Sequence, residues 1–170
     1  MTELISSTES LLRTVDEVSR ETGTDLSGWE VVTSHRLLDV KAQVETGGSV
    51  RRVAFNLHVL SASPVELVRC VVRHELTHVR QVNERRLSHP WWLPGTIRFE
   101  GRQYAPVYVT GRPGAAEYIE SVRRYLSTPW EREAVISSFP CVGLGDCARD
   151  DPVLSEMGRL YEAWTGRLPW

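Results

Sequence analysis

The sequence predicts an α+β domain: a small antiparallel or mixed sheet packed on one long helix, with additional helices towards the C-terminus. Three observations carry this. Residues 29–60 are rich in β-formers and in places alternate apolar with polar. An amphipathic run from Pro64 to about Arg86 follows at once. Apolar residues then recur at helical spacing in several segments between 114 and 166. A period of two marks a half-buried strand, and a period near 3.6 marks a helix with one buried face.

The elements are taken in order. Residues 4–20 are expected to form a helix, with Leu4, Leu11, Val15 and Val18 at helical spacing, Ile5 and Leu12 beside them, and Gly23 as the stop. Trp29 to Val44 supplies strands; from Val40 the order Val, Lys, Ala, Gln, Val alternates. Gly47-Gly48 is a turn signal, and Val50 to Leu60 returns as a strand with Val53, Phe55, Leu57 and Val59 on one face. Ser63, Pro64 and Glu66 suit the N-cap, first turn and capping box of the next helix. Ser88 to Pro113 is punctuated by Pro and Gly; it holds Trp91-Trp92 and strand-like runs at Thr96–Phe99 and Tyr104–Val109. This segment is expected either to wall a cleft or to pack as a hairpin on the core. Gly114 to Leu126 reads as a helix and Thr128–Ala134 opens another; Ser138–Asp151 is a loop. The last helix starts at Asp151-Pro152 and ends at Gly166.

Composition sets limits. The 170 residues are most simply one domain, 1–170, and 41% apolar with 25% charged is ordinary for a globular chain. A net charge of −2 offers no footprint for nucleic acid. No run approaches the roughly 18 apolar residues of a membrane span. Met1-Thr2-Glu3-Leu4 lacks a basic region followed by an apolar core, so cytoplasmic synthesis is expected, with non-classical export compatible. Three scattered cysteines, Cys70, Cys141 and Cys147, do not make a disulfide framework. Cys70 is expected to be a small buried apolar residue. For Cys141 and Cys147 two plain thiols are expected, over a local disulfide or a second metal site.

Inside the long helix stands His74-Glu75-Leu76-Thr77-His78. Positions i and i+4 share a helix face, so both imidazoles can reach one ion. Two neutral imidazoles suit zinc, and an adjacent carboxylate can take a proton from a water on that ion. On a helical wheel Glu66, Arg69, Arg73, Arg80 and Glu84 form a polar stripe, and Leu67, Val68, Val71, Val72, Val79 and Val82 lie opposite. His74 and His78 fall at the edge of the apolar face. The plainer alternative is a pair of half-buried structural histidines.

Val71 to Val79 resembles the extended signature of the zincin zinc peptidases, with uncharged residues flanking the histidines; Arg80 departs from it. The run His74–Gln81 further resembles the zincin-like domain encoded in extracellular contractile injection system loci. The resemblance implies a zincin-like fold, with strands preceding the zinc helix and an edge strand that binds extended peptide. The Val50–Leu60 strand is the candidate edge.

A catalytic zinc normally takes three protein ligands. The pattern His-Glu-x-x-His-x-x-Gly-x-x-His fails, because Gln81 and Glu84 stand where Gly and His are needed. His89 lies in a Pro-flanked loop, and Asp146, Asp150 and Asp151 lie in a loop or helix cap. The Glu-x-Glu-Ala at 131–134 remains. Thr128 as N-cap puts Glu131 at the capping-box position, which assigns it a structural task. Glu133 is therefore the expected third ligand, with Glu131 the alternative. Zincins that use a glutamate from a later helix often carry it before Ala, which points the same way.

The expected chemistry is zinc-assisted peptide hydrolysis with His74, His78 and Glu133 as ligands and Glu75 as general base. Tyr118, Tyr125, His58 and His89 are candidates for stabilising the oxyanion. Expected partners are a peptide or protein substrate and a particle or secretion-system component, with no nucleic acid and no membrane. Two rival readings stand beside this one: a non-catalytic structural or assembly module, and a toxin or processing protease with one dedicated substrate.

Overall fold

The computed structural model describes residues 5–34, 41–47, 49–61, 63–89, 95–139 and 151–167. Among them the architecture is mixed α+β, with six helices and two three-stranded sheets.

Helix α1 spans Thr8–Thr22. The expected start at residue 4 moves because Ser7 and Ser10 form a reciprocal capping box, each side chain taking the other's backbone N–H. Gly23 ends the helix in the left-handed region, as expected. Leu11, Val15 and Val18 are buried, whereas Leu12 is exposed.

Strands β1 (Glu30–Ser34), β2 (Ala42–Gly47) and β3 (Val50–Asn56) follow, in spatial order β1-β3-β2. β1 pairs parallel with β3, and β2 pairs antiparallel with it. The sheet is therefore mixed. Because β3 is bonded on both sides, it is not the free edge the sequence suggested. β2 is an edge, and its residues line the cavity at the histidines. β3 is also shorter than expected. Asn56 turns its side chain onto the N–H of Val59 and opens a one-turn helix, α2, Leu57–Leu60. Leu57 and Val59 thus leave the strand face they were expected to share.

Helix α3 spans Val65–Asn83. Its N-cap is Pro64 and carries no side-chain cap bond, so the predicted Ser63–Glu66 box does not form. Leu67, Val68, Val71, Val72, Leu76 and Val79 are buried, as the wheel requires. The polar stripe is not simply solvated: Arg69 and Arg73 pair with Glu17 and Glu21 of α1.

Strands β4 (Leu87–Ser88), β5 (Ile97–Phe99) and β6 (Arg102–Tyr104) form the second, antiparallel sheet. The β5–β6 turn uses Glu100 and Gly101, both at positive φ. The predicted strand 104–109 is not present, since β6 ends at Tyr104. Trp91 and Trp92 lie outside the described residues.

Helices α4 (Ala116–Leu126), α5 (Pro129–Ser138) and α6 (Pro152–Thr165) follow among the described residues. Asp151 caps α6 by accepting from the N–H groups of Val153 and Leu154, and Gly166 closes it, both as predicted.

α3 lies between two cores. Val68, Val72 and Leu76 join α1 and the mixed sheet, including Phe55 and Val53. Leu67 and Cys70 join α4–α6 through Val122, Val135 and Met157. A helix with such neighbours is held at a defined rotation and offset. Cys70 is buried, as expected, but it is disulfide-bonded and not simply a small apolar residue. Cys141 and Cys147 lie outside the described residues.

Candidate metal centre

The middle of α3 presents His74, Glu75 and His78 towards α5. The imidazoles stand nearly perpendicular, with centroids 5.0 Å apart. Between them comes a single carboxylate, that of Glu131. Its Oε2 lies 3.1 Å from His74 Nε2, and its Oε1 lies 3.3 Å from His78 Nε2. One ligand atom from each of the three residues falls within 4.8 Å of the others, an arrangement that can hold a metal ion. Two imidazoles and one carboxylate make a donor set suited to zinc.

Glu133 is not part of this group. It faces Arg86, whose Nη1 and Nη2 donate to its two oxygens at 2.9 and 2.7 Å, and Arg80 stands 3.7 Å away. The correction has a local cause. α5 buries Trp130, Glu131, Ala134, Val135 and Ser138, a stripe of helical spacing. Two residues along a helix is a rotation of about 200°, so Glu131 and Glu133 must leave on different faces. Thr128 does sit at the N-cap, but it makes no side-chain cap bond. Its hydroxyl donates instead to the carbonyl of Tyr125. Glu131 has no capping task and is drawn inward, to 3% exposure.

Such a burial is tolerated only with partners. Tyr125 donates its hydroxyl to Glu131 Oε1 at 2.7 Å. Burial alone would raise the Glu131 carboxyl, but the charges and hydrogen bonds of His78 and His74 outweigh it and hold the carboxyl well below its usual range. Burial alone would lower His78. The charge and hydrogen bond of Glu131, with Glu75 and Gln81 adding to them, raise it instead from 6.5 to about 9. A proton on His78 thus holds the pair together. Burial pushes Glu75 up, and the Glu131 charge adds to this, while His74 and His78 pull the other way. A carboxyl raised in this way is a better proton acceptor than an exposed one.

Gln81 enters the site unforeseen by the sequence reading, which placed it in the run resembling the zincin-like domain and noted it as a mismatch to the Gly pattern, but gave it no role. Its Oε1 lies 2.9 Å from His78 Nδ1, and its Nε2 donates to the Trp130 carbonyl at 3.0 Å. The signal was present in the sequence: a polar residue three positions after His78, which falls beside His74 on the wheel, outside the charged stripe.

Two cavities meet at the site. The smaller, about 300 Å³, runs behind His74 and Glu75 and is walled by Val71, Val122, Leu154 and Met157. The larger, about 740 Å³, is bounded by β2 on one side and by residues 106–108 on another, and reaches His78. Tyr125, His74, Glu75 and Glu131 line both.

The other predicted residues separate. Tyr118 lines the smaller cavity. Tyr125 reaches the site but spends its hydroxyl on Glu131. His89 lines the larger cavity, with Nδ1 at 3.1 Å from Thr46 Oγ1 of β2. His58 is exposed on α2 and lines neither cavity, because the strand it was assigned to ends at Asn56.

No protein-family model, no curated protein and no solved structure matches this chain.

Proposed function

We propose that the chain is a zincin-like, zinc-dependent peptidase, with His74, His78 and Glu131 as metal ligands and Glu75 as general base. The observation that supports it best is the convergence of Glu131 on both histidines from a different helix, at 3.1 and 3.3 Å. The resemblance of residues 71–79 to the zincin signature rests on α3 alone; the third donor comes from elsewhere in the chain.

The donor set fits zinc, and the ion when bound supplies Lewis acidity, which polarises a peptide carbonyl and acidifies water. The remaining roles belong to the chain. Glu75, adjacent to His74 on α3, takes a proton from the attacking water and returns it to the leaving amine. Tyr125 keeps the Glu131 carboxylate turned towards the histidines. His89, on the wall of the larger cavity, is the candidate to assist the developing oxyanion.

The cavities support a peptide as the substrate. An extended peptide can lie in the larger cavity and add to the edge of β2 by backbone hydrogen bonds. The smaller cavity, apolar and about 300 Å³, takes an apolar side chain next to the bond that is cut. A disulfide at Cys70 favours residence in an oxidising space after synthesis, in keeping with an exported peptidase that acts on a dedicated partner. No helix among the described residues is long and apolar enough to cross a membrane.

The test is zinc content and peptide hydrolysis for wild type, Glu75→Gln and Glu131→Gln. Glu75→Gln is expected to keep zinc and lose turnover, and Glu131→Gln to lose zinc. A wild type that takes up no stoichiometric zinc overturns the proposal.

A further inference from the structure

Gln81 is 0% exposed. A primary amide in such a place is costly unless both ends are bonded, and an aliphatic residue would fill the space without that cost. Both ends are bonded, to two different parts of the metal centre. Nε2 donates to the Trp130 carbonyl at 3.0 Å, and a carbonyl can only accept. The amide is thereby oriented: the atom facing His78 at 2.9 Å is the acceptor Oε1. His78 Nδ1 must then carry a proton, which leaves Nε2 as the nitrogen offered towards Glu131, 3.3 Å away.

The other end acts on the third ligand. Trp130 directly precedes Glu131. Fixing its carbonyl fixes the first turn of α5 against the last turns of α3, at the residue where Glu131 leaves the backbone. His74 has no equivalent support: its Nδ1 is buried with no hydrogen-bond partner among the described residues. Of the two imidazoles, only that of His78 thus has its Nδ1 held by a side chain among the described residues.

We propose that Gln81 is a positioning residue that sets two ligands at once, the tautomer of His78 through Oε1 and the placement of Glu131 through Nε2. The proposal rests on the metal-binding reading above. It differs from a packing role, because a packing residue would leave the ring nitrogens of His78 and the metal affinity unchanged. An amide is also the group the site requires: a carboxylate at 81 would satisfy His78 but would turn an oxygen towards the Trp130 carbonyl.

The test uses the full chain and zinc alone. In the zinc-loaded wild type, nitrogen NMR of the histidine rings is expected to show His78 protonated at Nδ1 and metal-bound at Nε2. Competition with a chelator is expected to show zinc bound about 10–100-fold more weakly by Gln81→Met than by wild type. Circular dichroism of the metal-free chains serves as the control for folding. Zinc seated on Nδ1 of His78 in the wild type overturns the proposal, and this measurement stands even where Gln81→Met does not fold. A folded Gln81→Met that binds zinc within about twofold of wild type also overturns it. A wild type that takes up no zinc overturns the metal reading and this one with it, so the two failures are distinguishable.

Discussion

Arg86 holds both carboxylate oxygens of Glu133, at 2.9 and 2.7 Å. This pairing decides which of two glutamates, two residues apart, is left for the histidines. A bidentate guanidinium–carboxylate pair satisfies the charge of Glu133 away from the cluster of His74, His78 and Glu131. Arg86 in turn is held far towards its protonated form, chiefly by its hydrogen bonds to Glu133 and Glu100.

Glu133→Gln is accordingly expected to bind zinc as the wild type does. Its cost is to stability, about 1 kcal/mol, because the pair is partly exposed. Zinc competition and a chemical denaturation curve measure the two effects separately. Loss of zinc from Glu133→Gln with Glu131→Gln intact would reverse the assignment.

Tyr125→Phe removes one hydrogen bond, that to Glu131 Oε1 at 2.7 Å. The carboxylate is then free to rotate, and zinc affinity is expected to fall about tenfold. The ring still fills its place between the cavities, so the metal-free fold should melt near the wild-type temperature. An unchanged zinc affinity would show that Glu131 is oriented without Tyr125.

The pH dependence follows from His78. Its folded value is raised to about 9 from 6.5. Zinc must displace that proton, so below about pH 9 apparent affinity is expected to fall by up to about tenfold per pH unit. For the metal-free chain the sign is set by linkage. A group whose value is raised on folding stabilises the fold fully below 6.5, and this contribution is lost as pH rises through about 9. Denaturation curves across that window should show stability declining by up to about 1.4 kcal/mol per pH unit. With zinc bound the same window should be nearly flat. Metal-free stability that rises from pH 7 to pH 9 would contradict the His78–Glu131 pairing.

The disulfide at Cys70 lies in the core shared by α3 and α4–α6. Reduction, or Cys70→Ala, is expected to lower stability by about 2–4 kcal/mol. Thermal melts with and without reductant, at fixed zinc, read this directly. A melting temperature indifferent to reductant would show that the bond contributes nothing to the fold.

Much of the architecture could be read from the chain because its signals are local. Gly23, Asp151 and Gly166 mark helix ends through their own backbone and side-chain chemistry, and all three do so in the structure. The buried face of α3 follows from its periodicity, and the two histidines sit on its edge because i and i+4 share a face. Two errors arose where a local signal had a competitor. Asn56 caps a helical turn and ends β3, although the alternating pattern runs on to Leu60. Thr128 spends its hydroxyl on Tyr125, so the capping box expected to occupy Glu131 does not form.

Order along the chain was enough to mark an α+β protein with a long helix that offers His74, Glu75 and His78 together, and to narrow a further donor to the pair Glu131 and Glu133. The choice between those two glutamates came from packing in three dimensions. The choice depends on the rotation of α5 about its own axis, which is set by Trp130 packing on Phe99 and Tyr104, by Gln81 holding the Trp130 carbonyl, and by Arg86 claiming Glu133. Packing likewise decided that β2, and not β3, borders the cavity, since strand order depends on pairings between distant segments. Periodicity tells which residues share a face, but the direction in which that face points is a property of everything packed against it.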